Sequence, residues 1–340
     1  MEYELRQQVI EPRRKTFQNL VDRFGDKPAS RYLEASIDIQ PTENFHYRPL
    51  WGADRELYDE SYSAFRLTDP YSFVDPRQYY YAPYVSNRAS LHEAFGKTLD
   101  YLSQREMLGR LPLPWQDLLA TVVLPLRHYE SGAQLISVNG ARFAYGSTIS
   151  QCLTFAAFDR IGNAQMITRV GIALGGGGAD LLGGAKQDWM ERDSLQGLRR
   201  LIEELLIVDD WATQVIAIDL VDRMLYPLLY RHLDEAALMG GAGSYSLIAQ
   251  HFAGWFADHR RWLDALYGVW TSDPDHGANN TAQLADLLNT YLPQARAAVG
   301  LVADHVDSLV GGGAQDAVAL TVADIRSTFT QLGLTLEGTS

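Results

Sequence analysis

The sequence predicts an all-α protein built around a four-helix bundle, with extra helices beyond the bundle and an irregular, aromatic-rich N-terminal arm before it. Three observations predict this. Long stretches place apolar residues at spacings of three and four, which gathers them on one face of a helix. Glycine-bearing turns join these stretches in pairs, and a longer connection separates the pairs. No stretch alternates apolar and polar residues for long enough to form a half-buried strand.

Residues 2 to 24 read as a helix interrupted at Pro12, which lacks the amide hydrogen that a helix interior needs. Residues 28 to 88 differ from everything else. They hold prolines 28, 41, 49, 70, 76 and 83 together with Phe45, Trp51, Phe65, Phe73 and the run Tyr79-Tyr80-Tyr81, and neither helical nor strand periodicity survives. Aromatic surface is costly to leave in water, at about 25 cal/mol per Å², so the arm must lie against its own helices or against a partner. Tyrosine and tryptophan suit a partner interface because they combine apolar area with a polar handle. The candidate contacts are Tyr47, Trp51, Tyr58, Tyr62, Tyr79, Tyr80, Tyr81 and Tyr84.

Helical periodicity then runs from 89 to 107, ending near Gly109 and the prolines at 112 and 114. The next stretch, 115 to 145, aligns Leu118, Val122, Leu126, Tyr129, Ala133, Ile136 and Phe143. A second long helix starts after Gly146, with Ser147 or Thr148 as its cap, and stops at the four glycines 175 to 178. A third spans 195 to 238 with a kink expected at Pro227, and a fourth carries Tyr245, Ile248, Phe252, Trp255, His259 and Trp262 on one stripe. Two hairpins of long helices with a crossover between them form the ferritin-like layout. Further helices are expected at 281 to 309 and 317 to 332. The implied organisation is an N-terminal helix and arm over 1–88, a ferritin-like bundle over 89–275, and C-terminal helices packed on it over 276–340.

Composition narrows the function. A formal charge of −13, with no basic cluster beyond Arg13-Arg14-Lys15, argues against nucleic acid and acidic membranes as partners. Cys152 is the sole cysteine, which rules out an internal disulfide and a cysteine-based metal site and fits a cytoplasmic location. No apolar run approaches the roughly 18 residues of a membrane span.

Ferritin-like carboxylate proteins build a di-iron centre from single glutamates and Glu-x-x-His pairs on the bundle helices. Here His92, His128, His232, His251, His259 and His305 all lack an acidic residue three positions earlier. Only Glu43 with His46 and Asp273 with His276 satisfy the spacing, and both lie beside prolines outside the long helices. His259, on an interior stripe without partners, reads as a hydrogen-bonded core residue. Glu130, Asp159, Glu203, Asp222, Glu235 and Asp258 read as solvated or salt-bridged. Phosphate-loop, dinucleotide-binding and nucleophile-elbow motifs are absent.

The segments LRQQVIEPRRKTFQNLVDRFGDKPASRYLEASIDIQPTENFHYRPLW and YDESYSAFRLTDPYSFVDPRQYYYAPYV resemble the β subunit of bacterial multicomponent phenol hydroxylases, which are soluble di-iron monooxygenases. The resemblance implies an α2β2γ2 hydroxylase whose α subunit holds the di-iron centre. It also implies a separate reductase that draws on NADH through FAD and an iron–sulfur cluster, and a small regulatory protein. The system converts phenols to catechols in aromatic hydrocarbon catabolism. This chain would be a non-catalytic subunit without metal or cofactor of its own. Overlaying the iron-binding pattern leaves Glu130 as a surviving carboxylate, Asp159 and Gly162 at one Glu and His pair, Gln214 at a Glu, and Asp258 and Arg261 at the other pair. Glu235 and Leu238 compete for the last assignment. Arginine, glycine and leucine offer no lone pair to a metal. The alternative is a self-sufficient ferritin-like di-iron oxidase.

Overall fold

The computed structural model describes residues 15–40 and 59–336, and every regular element among them is helical. Two short helices come first, α1 (Gln18–Phe24) and α2 (Arg31–Ser36), the latter capped by Ser30, whose hydroxyl accepts from the Leu33 amide at 3.2 Å. After an irregular stretch, α3 spans Tyr81–Gln104. It begins eight residues before the first expected helix because Pro83 sits in its first turn, where an amide hydrogen has no intrahelical acceptor and its loss costs nothing.

The element expected over 115 to 145 is interrupted. Following α4 (Leu113–Leu118), a π turn at Leu119–Val123 precedes Pro125, and α5 (Leu126–Phe143) resumes beyond it. The wide turn accommodates a proline ring that an unbroken α-helix would drive into the preceding carbonyl. Helix α6 (Ser147–Leu174) follows a tight turn at Gly146. That residue has φ +124°, and a Cβ there would stand 2.3 Å from the Pro70 carbonyl oxygen, so only glycine fits. Ser147 does not cap α6. Its hydroxyl donates to the Ser36 carbonyl at 2.6 Å and ties α2 to the bundle.

The crossover contains α7 (Asp180–Glu191), and the expected third helix proves to be two, α8 (Asp193–Leu205) and α9 (Trp211–Pro227). Both bury apolar faces, so periodicity runs through the break and conceals it. The signal is Asp210, whose carboxylate accepts from the Ala212 and Thr213 amides at 2.8 and 3.2 Å and starts α9. Its other oxygen accepts from the Ala64 amide at 2.8 Å, 146 residues away in sequence. Pro227 ends α9 in a second π turn, Leu228–His232, before α10 (Leu233–Met239). Helices α11 (Gly243–Thr271), α12 (Gly277–Val310) and α13 (Ala314–Gln331) complete the fold.

Helices α5, α6, α9 and α11 form the central bundle. Helix α3 lies against α6 and α11, α12 covers α8 and α9, and α13 packs on α12 and α9. The core is rich in aromatics, with Tyr129, Tyr245, Phe252, Trp255, Trp262 and Trp270 almost fully enclosed.

The described part of the aromatic arm is wrapped on this bundle. Phe65 meets Trp270 with ring centroids 4.6 Å apart, Tyr62 stacks on Phe143 at 4.4 Å, and Phe73 is buried. Tyr84 stacks on Phe155 at 4.1 Å. Tyr62 and Tyr84 therefore belong to the chain's own core and cannot serve as the partner contacts expected of them. Tyr79 and Tyr80 are half-buried and Tyr81 is exposed, while Tyr47, Trp51 and Tyr58 lie outside the described residues.

Candidate functional site: the charged centre of the bundle

A ferritin-like bundle does its chemistry, where it has any, between the four helices. Here that space holds a guanidinium. Arg160 of α6 is fully enclosed, and its Nη1 lies 3.2 Å from Glu130 Oε2 on α5 and 3.2 Å from Asp222 Oδ1 on α9. Its Nη2 donates to Asp222 Oδ2.

Two phenols complete the carboxylates' shells. Tyr226 donates to Glu130 at 2.5 Å, Tyr129 donates to Asp222 at 2.6 Å, and Asn163 donates to the Tyr226 hydroxyl at 3.1 Å. The Arg160 guanidinium stands 5.1 Å from the Trp255 ring centroid, within cation–π range. His259 stacks on the same indole at 4.9 Å, and Trp262 Nε1 points at its Nδ1 from 3.5 Å.

The electrostatics follow from burial. Desolvation opposes the charge on Arg160, but Asp222 and Glu130 outweigh it and hold its pKa well above the ordinary value. Burial pushes the pKa of Glu130 and Asp222 up, against the pull of Arg160. One guanidinium faces two carboxylates, so full ionisation leaves a net negative charge that the two phenols stabilise by donation. His259 is held well below its usual range, first by burial and then by the surrounding arginines, and is neutral.

The residues present do not fit a di-iron centre. A fixed positive charge lies between the carboxylates that would have to bind cations, and their oxygens are taken up by Arg160, Tyr129 and Tyr226. Among the described residues no group of three or more His, Cys, Asp or Glu side chains could hold a metal ion.

Of the positions overlaid on the iron-binding pattern, only Glu130 reaches this centre. Asp159 and Asp258 turn instead toward Arg88 of α3, which donates to Asp159 through Nε and Nη2 and to Asp258 through Nη2, all at 2.8 Å. Tyr84 donates to Asp159 at 2.8 Å, and the buried Arg77, paired with Asp75 at 3.0 Å, lies 3.7 Å from Asp258. Gly162 also faces α3, where a Cβ would stand 2.9 Å from His92 Nε2. Gln214 spans the start of α9 and the end of α8, donating to the carbonyls of Leu205 and Val208 at 2.9 and 2.7 Å. Arg261 is exposed. The overlay is thus off by one residue on α6, since neighbours on a helix point about 100° apart and Arg160, not Asp159, looks inward.

Sequence reasoning missed Arg160, Tyr129, Tyr226 and Asn163. A signal existed: Ala156, Arg160, Asn163 and Ile167 follow the spacing of an interior stripe, so a charged residue among them demanded buried partners. Asp222 and Glu130, read as solvated or salt-bridged, are those partners. Glu203, read the same way, is a surface residue paired with Arg199 at 2.8 Å.

The fold and this centre define a class: an all-helical, ferritin-like bundle whose interior is closed by an ion pair rather than opened for a ligand. Comparison with known proteins agrees on the architecture. Residues 51–274 match the family model described as Methane/Phenol/Alkene Hydroxylase. The phenol 2-monooxygenase oxygenase component DmpL of Pseudomonas sp. (strain CF600) is 36% identical over 91% of this chain and 93% of its own length. The small subunit of the propane 2-monooxygenase hydroxylase component of Mycolicibacterium goodii is 23% identical over 78% of this chain and 74% of its own. A chain in the crystal structure of xenon-pressurised phenol hydroxylase from Pseudomonas sp. OX1 superposes with a TM-score of 0.89 at 32% identity, covering 98% of this chain and all of that one. The chain belongs to the methane/phenol/alkene hydroxylase family, as the resemblance of its N-terminal segments implied.

Proposed function

We propose that the chain is the non-catalytic structural subunit of an NADH-dependent di-iron phenol hydroxylase that converts phenol to catechol, and that it supports an iron-bearing α subunit within an α2β2γ2 assembly. The observation that carries this reading is Arg160 seated between Glu130 and Asp222. A guanidinium there supplies the positive charge the carboxylates need and has no redox or ligand-exchange chemistry. The relatives that are oxygenase components of phenol 2-monooxygenases support the substrate, and the relative described as a small subunit supports a companion chain. Electrons come, on this reading, from a separate reductase carrying FAD and an iron–sulfur cluster, with a small regulatory protein docking on the hydroxylase. No helix among the described residues is long and apolar enough to cross a membrane, and the buried Cys152 thiol suits a cytoplasmic setting.

A self-sufficient di-iron oxidase is disfavoured, because iron would have to expel a buried, paired arginine and leave its charge unplaced. The test is to express the chain alone and with its α subunit, then measure iron by mass spectrometry and phenol hydroxylation by catechol release. Iron and activity that follow the α subunit are expected. Stoichiometric iron and oxidase activity in the chain alone would overturn the proposal.

A further inference from the structure

The charged centre sets two carboxylates against one guanidinium, and the two are not neutralised alike. Arg160 grips Asp222 through both Nη atoms but reaches Glu130 through Nη1 alone, at 3.2 Å. Glu130 is therefore the stronger base of the two, and the Tyr226 hydroxyl donates to its Oε1 at 2.5 Å. Burial first, and then the charge of Glu130, raise the Tyr226 pKa well above its ordinary value, so the phenol keeps its proton as long as it keeps its electrons. A phenol stripped of one electron is a strong acid, and here a base already touches its proton. Loss of that electron also removes the excess negative charge of the cluster, which a dry interior stabilises poorly.

Electrons can reach and leave this phenol through rings that are themselves oxidisable. Trp255 and Tyr230 stand with centroids 5.1 and 5.3 Å from that of Tyr226. Tyr245 lies near enough to Tyr230 to raise its pKa, and Trp115 is 5.1 Å from Tyr245. The row ends just beneath the surface, because a Cβ on the exposed Gly240 would stand 3.2 Å from Trp115 Nε1. At the inner end the Tyr226 ring is enclosed, and Asn163 donates to its oxygen at 3.1 Å, a hydrogen bond that survives when the phenolic proton leaves.

We infer that Tyr226 and Glu130 form a one-electron oxidation site, at which a neutral tyrosyl radical is made and sheltered. The phenol passes one electron along the aromatic row to a high-potential one-electron oxidant of the ruthenium(III) or organic-radical class, which is reduced. Its O–H bond breaks, and the proton forms a new O–H bond at Glu130 Oε1. The products are a neutral phenoxyl radical and a neutral carboxylic acid beside the Arg160–Asp222 pair, which is then balanced in charge. One electron from a reductant of the thiol or ascorbate class, with return of the proton from Glu130, restores the starting state. A chain of a hydroxylase family works beside dioxygen chemistry, where stray oxidising radicals arise, and a buried site that accepts the damage and can be reduced again spares the rest of the core.

The experiment flashes the full chain with light in the presence of tris(bipyridine)ruthenium(II) and persulfate, freezes it, and reads electron paramagnetic resonance. A tyrosyl signal that outlives those of exposed tyrosines is expected. With 3,5-difluorotyrosine placed at position 226, which keeps the hydroxyl and its carboxylate partner, that signal should acquire fluorine hyperfine splitting. E130Q keeps an acceptor for the phenol but removes the base, and should lower the yield of the persistent radical about a hundredfold. Y81F, at an exposed tyrosine, should leave the signal unchanged. Melting curves check that E130Q folds, and if it does not, the fluorine splitting decides alone. No persistent radical in the wild type, a persistent signal without fluorine splitting, an undiminished signal in folded E130Q, or its loss in Y81F would each overturn the inference.

Discussion

Replacing Arg160 with methionine tests the centre most directly. Methionine fills much of the same volume and keeps contact with Trp255, so the loss is chiefly electrostatic. Glu130 and Asp222 are both fully enclosed, and without Arg160 each keeps a single phenol donor, from Tyr226 and Tyr129 respectively. Removing one member of a buried ion pair costs about 3–5 kcal/mol, because the stranded charge has neither water nor partner. The cost should depend on pH in a defined sense. Burial already raises both carboxyl pKa values above their unfolded values, and removing the guanidinium raises them further. The folded state then binds protons more tightly than the unfolded state, so R160M is least impaired in acid and loses stability as pH rises toward neutrality. Urea unfolding followed by tryptophan fluorescence, from mildly acidic to neutral pH, gives both magnitude and slope. The triple variant R160M/E130Q/D222N removes the charges together and should recover most of the loss. A loss in R160M that is below about 1 kcal/mol, or one that does not grow with pH, would show that the ion pair does not hold the centre as described.

Four further outcomes follow from the same structure. Placing a histidine at the α3-facing position by G162H should confer no iron binding and cost about 1–3 kcal/mol, because its Cβ meets His92; iron content and melting temperature check this. G146A should destabilise by about 2 kcal/mol or more, measured by chemical unfolding, since it combines a forbidden φ with contact to the Pro70 carbonyl. D210A removes the cap of α9 and the acceptor of the Ala64 amide, so a loss of about 1–2 kcal/mol is expected, with amide exchange accelerating at the start of α9. His259 is depressed in the folded state, so the unfolded chain takes up a proton that the native chain refuses, and stability falls as pH drops below the ordinary histidine range. His128, lowered to about 4, acts in the same direction, so H259Q should flatten this slope without abolishing it.

Much of the bundle is written in its periodicity. The ends of α6 are plain from Gly146 and the glycines at 175 to 178, and α11 from its aromatic stripe. Periodicity reports which face is buried, and it is blind to breaks between helices that bury the same face, which is why α8 and α9 merged. Pro83 and Pro125 misled in opposite ways: the first sits where a helix start tolerates it, the second inside a stripe that continues past a π turn. The centre was half legible. Glu130 and Asp222 stood out as acids on inner helices, but their meaning depends on Arg160, whose inward direction only the helix register fixes. Arg88 was invisible for a related reason, since its partners Asp159 and Asp258 come from two other helices, 71 and 170 residues further along the chain.

A bound metal ion equilibrates with its surroundings, so a protein centred on one must be loaded after synthesis and can be emptied by a chelator. Arg160 is covalently part of the backbone it stabilises. The charge that the Glu130 and Asp222 carboxylates face at the centre of the bundle therefore arrives with the chain itself and cannot be drawn out by a chelator.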